Sequence, residues 1–189
     1  MVDNLVERIR QKDQRAMSQL YQMFIRELSS VCYRYVPSES DAKDVLQNSF
    51  VKIFKSIPTL DYRGEAALRL WMKKIVVNEA LYFLKERRKL KATLGLRIAA
   101  QDVEMASEPT APDFDSAETE SLTPEDVHRL VSSLPDGYRT VVNLYIFEGY
   151  SLRQIAELLN VSESTSASQL YYAKQVLARR IKELKKDRR

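Results

Sequence analysis

Apolar residues recurring at helical intervals predict an all-α protein of two small helical domains joined by an acidic flexible linker, the second domain holding a helix-turn-helix. Two further observations agree. The 189 residues include four glycines and six prolines, too few for a turn-rich β architecture. Ser, Thr or Asp also stands ahead of most periodic runs, where a helix needs a side-chain acceptor for its first amides.

Residues 3–36 read as one helix. Ala16, Leu20, Phe24, Leu28, Val31 and Tyr35 form its apolar stripe, and Pro37 ends it. Ser38 or Ser40 caps a second helix that stops before Pro58, with Val45, Leu46, Ser49, Phe50, Ile53, Phe54 and Ile57 on its apolar face. Thr59 to Glu65 is a loop. A long helix then runs from Ala66 to about Lys91, with Leu68, Trp71, Met72, Ile75, Asn78, Glu79, Tyr82 and Lys85 along its faces. Trp71 reads as core; Tyr62, in the loop, is open to either reading. Residues 95–121 hold Pro109 and Pro112, and from Gln101 to Ser121 there are seven acidic side chains and no basic one, which gives no core and predicts a linker. The expected division is thus 1–94, 95–121 and 122–189.

In the second domain Thr123 precedes Pro124 at the first helical position, followed by two acids. Val127, Leu130, Val131 and Leu134 make the stripe. The next segment, YRTVVNLYIFE, also suits a strand by propensity. The spacing of Val141, Leu144 and Tyr145, with Gly149 as a stop, favours helix. Ser151 with Gln154 has capping-box spacing, and Leu152, Ile155, Ala156 and Leu159 follow. Ser162 caps a last helix with the stripe Ser166, Leu170, Ala173, Leu177, Ile181. Two helices joined by so short a turn are a helix-turn-helix, whose second helix enters the DNA major groove by its N-terminal end. That end offers Ser164, Thr165, Ser168 and Gln169, with Tyr172 and Lys174 one turn on; Ser, Thr and Gln can donate and accept at base edges.

Net charge is +4, but its distribution is uneven. From Arg63 to Arg97 there are ten basic side chains against three acidic ones, and the C-terminal stretch is basic again. Basic blocks on either side of an acidic spacer suggest a polyanion held in two places. Lys73 and Lys74 lie among Tyr62, Trp71, Tyr82 and Phe83, the mixture of charge and rings that a single-stranded nucleic acid requires. No N-terminal apolar stretch or membrane-length run occurs, which places the chain in the cytoplasm without membrane insertion. The one cysteine, Cys32, reads as a small buried apolar residue, and His128, the one histidine, as a surface residue. No nucleophile with a matched base, phosphate-cradling Gly loop or metal-ligand cluster is present, so no catalytic, metal or cofactor site is expected and an enzyme is disfavoured.

Three blocks in order carry a family resemblance: SDAKDVLQNSFVKIFKSI, YRGEAALRLWMKKIVVNEALYFLKERRK, and LPDGYRTVVNLYIFEGYSLRQIAELLNVSESTSASQLYYAKQVL. The chain resembles the extracytoplasmic-function group of bacterial RNA polymerase sigma factors across nearly its whole length. The resemblance implies a factor that brings core polymerase to promoter DNA and helps melt it. It makes Asp41, Asp44 and Gln47 polymerase-facing, sets Asn78 near the −10 bases, and puts Tyr62 and Arg63 in the loop that caps a flipped base. The last block becomes the −35 reader, and an anti-sigma protein is the implied inhibitor. This chain departs from the family at Asn160, where Gly is usual, and at Ser166, Ala167 and Gln169, which leave the reading end short of cations. A duplex-binding repressor or activator acting without polymerase is the competing expectation.

Overall fold

The computed structural model describes residues 2–93 and 122–187, and every element among them is helical. The chain divides into two units, Met1–Leu94 and Gly95–Arg189. The acidic linker expected over residues 95–121 lies outside the described residues.

The first unit holds α1 (Val2–Arg10), α2 (Gln14–Tyr35), α3 (Glu39–Ser56), a 3-10 turn (Ile57–Thr59) and α4 (Glu65–Thr93). α2, α3 and α4 pack pairwise, and α1 lies on α2. The expected stripe of α2 is buried, with Cys32 added to it. The single helix expected over 3–36 is in fact two. Lys12 takes the left-handed conformation (φ 61°), its N–H donates to the Ile9 carbonyl at 2.9 Å, and the Asp13 N–H donates to the Arg8 carbonyl at 3.0 Å. That pair of bonds is a Schellman stop, formed here without glycine. Asp13 then caps α2 through Arg15 and Ala16. The break lets Val2, Leu5, Val6 and Ile9 turn back and bury themselves.

Ser38, rather than Ser40, caps α3. α4 buries Leu68, Met72, Val76, Val77, Ala80 and Leu84. Trp71 is half-buried instead of core, because this second set of apolar residues faces α2 and α3. Glu79 is the exception on the buried side, and its carboxylate accepts from Lys52 of α3. The Cys32 thiol points at the Ala42 carbonyl, 3.7 Å away, and burial pushes its pKa up to about 12. It is therefore a small packing residue, not a nucleophile.

The second unit holds α5 (Pro124–Ser132), α6 (Asp136–Val142), a π-wound turn (Asn143–Phe147), α7 (Leu152–Leu159) and α8 (Glu163–Asp187). Thr123 and Asp126 form a complete capping box at the start of α5. At its far end the buried Arg139 of α6 donates to the carbonyls of Ser132 (3.3 Å) and Leu134 (2.6 Å) and pairs with Asp136. One guanidinium thus serves acceptors that a helix end leaves open. The ambiguous YRTVVNLYIFE segment is helical, ending in the wide turn: Glu148 N–H donates to the Asn143 carbonyl and Tyr150 N–H to that of Leu144. Gly149 (φ 73°) then releases the chain. His128 is exposed.

Candidate nucleic-acid and polymerase interfaces

The helix-turn-helix follows from its end signals. Ser151 and Gln154 make a reciprocal capping box at the start of α7. α7 stops at Asn160, which is left-handed (φ 54°); Asn160 N–H reaches the Glu157 carbonyl at 3.3 Å and Val161 N–H that of Ala156 at 3.0 Å. Asn tolerates this conformation because its short amide compensates locally, which explains how the chain dispenses with glycine here. Ser162 Oγ accepts from Thr165 N–H at 3.0 Å and starts α8. All five residues of the expected stripe of α8 are buried, Ser166 completely.

The residues expected to read DNA divide into two sets. Ser164, Thr165 and Ser168 are exposed at the N-terminal end of α8, with the Ser164 and Thr165 hydroxyls 2.8 and 2.7 Å from that of Ser162. Gln169, Tyr172 and Lys174 are half-buried against α6 and the π-wound turn. The Gln169 amide lies 3.4 Å from where a Cβ on Gly137 would stand. Tyr172 stacks with Tyr138 at 6.4 Å between centroids and meets Tyr171 edge-on at 5.4 Å. Lys174 Nζ sits 6.0 Å from the Tyr145 ring centre. The stretch therefore has a hydroxyl tip and an aromatic shoulder. Arg153, 80% exposed on the first turn of α7 and paired with Glu157 at 3.2 Å, adds a cation that the sequence reading passed over. Its signal was its position: the first helix of such a motif crosses the DNA backbone.

In the first unit, Tyr62 and Arg63 lie in the loop between the 3-10 turn and α4. The Arg63 guanidinium pairs with Asp61 at 2.7 Å, and both side chains are mostly exposed. Lys74 and Asn78 are exposed one turn apart on α4, whereas Lys73 is half-buried and already engaged. Tyr82, 61% exposed, continues that surface, with Lys52 5.9 Å from its ring centre. Phe83 instead lies under Arg87 at 6.0 Å.

On α3, Asp44 and Gln47 are exposed, but Asp41 accepts from Arg87 of α4 at 3.3 Å and is only one-third exposed. Gln47 borders a groove of about 660 Å³ between α2 and α3, walled by Tyr21, Ile25, Tyr33, Phe50, Val51 and Phe54. Tyr21 and Phe50 meet at 4.6 Å and Phe50 and Phe54 at 5.9 Å. Helical periodicity alone does not reveal this groove. Its trace was Tyr21, Ile25 and Val51, apolar residues outside the buried stripes of their helices.

Among the described residues no group of His, Cys, Asp and Glu is placed to hold a metal ion, and no helix is long and apolar enough to cross a membrane.

Comparison with known proteins gives two family matches: residues 20–90 to "Sigma-70 region 2" and residues 125–177 to "Sigma-70, region 4". The chain is 32% identical over 184 residues to the ECF RNA polymerase sigma-E factor of Haemophilus influenzae, covering 95% of both chains. It is 29% identical to that of Escherichia coli K12 over 192 residues, covering 95% of this chain and 94% of the other. Among solved structures, a sigma factor from Bartonella quintana in complex with an anti-sigma factor is 18% identical with a TM-score of 0.49, over 87% of this chain and 96% of that one.

Proposed function

We infer a division of labour from one premise: the chain belongs to the extracytoplasmic-function group of the sigma-70 family of RNA polymerase sigma factors. Its function is promoter-specific transcription initiation with core RNA polymerase. The members of this family are transcription factors, and we propose that this chain accordingly catalyses no reaction of its own, needs no cofactor and works in the cytoplasm.

The first unit grips polymerase through Asp44 and Gln47 beside the apolar groove. Asp41 supports that surface from below by tying α3 to α4. A polar rim around an apolar centre suits a protein interface, where the centre supplies burial and the rim supplies register. Tyr62 and Arg63 take an unpaired base of the −10 element, and Lys74, Asn78 and Lys73 follow the strand beside it. In the second unit Ser164, Thr165 and Ser168 meet base edges of the −35 element. Gln169, Tyr172 and Lys174 form the flank of that contact, and Arg153 supplies phosphate contact that the neutral tip of α8 lacks. Residues 95–121 tether the two.

Energy dictates that these parts work with polymerase. Opening roughly ten base steps costs about 14 kcal/mol at about 1.4 kcal/mol each. A captured base returns about 1–3 kcal/mol. The remainder comes from the larger assembly. The observation that carries this reading is the order of the two family regions on two helical units, the second ending in an intact helix-turn-helix. Family membership also brings an anti-sigma protein as the proposed inhibitor.

In vitro transcription with bacterial core polymerase tests the assignment. Asp44→Arg should abolish core binding and transcript while leaving the helical circular dichroism unchanged. Undiminished transcription would remove Asp44 from the interface. Tight binding of an intact duplex by the chain alone would favour a conventional repressor.

A further inference from the structure

A loop that presents a ring and a guanidinium to one base needs a fixed backbone, and the loop Leu60–Gly64 has few ties of its own. Leu60 N–H donates to the Ile57 carbonyl at 3.1 Å, and Arg63 and Asp61 hold each other in solvent. Gly64 is left-handed at φ 97°. Two stronger ties come from α1, some fifty residues earlier in the chain. The Tyr62 hydroxyl donates to the Asp3 carboxylate at 2.8 Å, and the Arg10 guanidinium donates to the Leu60 carbonyl at 2.7 Å. Asp3 and Arg10 are seven residues apart, two turns, and so share one face of α1. α1 is a firm platform because Val2, Leu5, Val6 and Ile9 are buried, and Arg10 is steadied by Glu7 at 3.3 Å. The titration of the pair agrees with the geometry. Burial and then the Asp3 bond push the Tyr62 phenol up to about 12, while the Tyr62 hydroxyl holds Asp3 below the usual carboxylate value.

We propose that Asp3 and Arg10 are positioning residues that hold loop 60–64 in the shape that captures an unpaired base. Asp3 fixes the plane of the Tyr62 ring through its hydroxyl, and Arg10 fixes the start of the loop through the Leu60 carbonyl. This rests on the reading that Tyr62 and Arg63 take the base. Since the hydroxyl proton is given to Asp3, Tyr62 has no donor left for the base, and its ring face is what it chiefly offers. The clasp acts by preorganisation: it removes an ordering cost that the base contact would otherwise bear.

The test uses the full chain with core polymerase. Holoenzyme is titrated with single-stranded −10 oligonucleotides carrying each of the four bases, or an abasic site, at the captured position. Asp3→Ala and Tyr62→Phe should each reduce preference for the favoured base about fivefold, the scale of one partly exposed charge-assisted hydrogen bond. The double variant should lose no more than either single one, because both remove the same bond. Asp3→Asn, which keeps an acceptor oxygen, should retain most of the preference. Arg10→Ala should add an independent loss. Affinity for core polymerase and the helical circular dichroism at the assay temperature stay constant throughout, since Asp3 and Arg10 lie on the surface. If Tyr62→Ala and Arg63→Ala leave base preference intact, the base-capture reading falls and this inference with it. If those two abolish the preference but Asp3→Ala and Tyr62→Phe do not, or if the double loss equals the product of the singles, the clasp alone is overturned.

Discussion

Asp13 shows how much one short side chain can decide. Its N–H ends α1, and its carboxylate starts α2 by accepting from Arg15 N–H at 2.8 Å and Ala16 N–H at 3.2 Å while pairing with Arg8 at 2.7 Å. The Arg8 bond, followed by the Ala16 amide, holds this carboxyl below its ordinary value. A carboxyl lowered in the folded state adds stability that is full above the unfolded value and disappears as pH falls through the folded one. Asp13→Asn can still accept from the amides but cannot pair with Arg8. It should therefore lower the melting temperature at neutral pH, and its gap to the parent should close as pH drops below about 4. A gap that stays constant down to pH of about 2.5 would show that the charge contributes nothing. The corner was half legible. Asp13 is a good cap by residue type, but without Gly or Pro beside it the periodicity runs on across the corner. That a lysine would take a left-handed turn is decided by the burial α1 gains, which a local pattern does not contain.

At the scale of elements, ends written in side chains were easier to read than ends made by the backbone alone. Ser151 is legible from Gln154 three positions on, Thr123 from Pro124 and the acids after it, and Ser162 from its type at the turn. The structure adds the i+3 pairings of Thr123 with Asp126 and of Ser162 with Thr165. The wide turn after Val142 is not legible, since nothing in Asn143–Phe147 distinguishes a π winding from an α one. Trp71 misled for a related reason. α4 is apolar on more than one side, and only the placement of α2 and α3 selects Val76, Val77 and Ala80 as the packed set. Asn160 offers a direct check on the hairpin of α7 and α8. Asn160→Gly should hold stability or raise it by up to about 1 kcal/mol, since glycine adopts the left-handed region at no steric cost. Asn160→Val should lower it by about 1–2 kcal/mol. Chemical denaturation of the full chain reads both; equal stability of the two variants would mean the turn has another geometry in solution.

Taken whole, the molecule concentrates basic charge in two blocks, which predicts a DNA affinity that falls with salt. Lys74→Ala should reduce the slope of log binding constant against log salt by about 0.7–0.9, one phosphate contact, in promoter titrations of the holoenzyme. Lys73→Ala should change it less, because that side chain is half-buried and already engaged. Equal slopes for parent and Lys74→Ala would take Lys74 off the strand. Residue types nominate the candidate surfaces, but not the neighbours that set how far each side chain reaches. Gln169 and Tyr172 have side chains suited to a base, yet their reach is set by Gly137 and Tyr138 across the unit. The clearest consequence lies in α8. Its 25 residues make a rod about 37 Å long, exposed hydroxyls at one tip and Leu170, Ala173, Leu177 and Ile181 clamped along the remainder. Tip and clamp form a single stiff lever. If the tip reads the promoter as proposed, a small tilt where the rod is gripped displaces the tip, and promoter preference would drift through changes at positions that never approach a nucleotide.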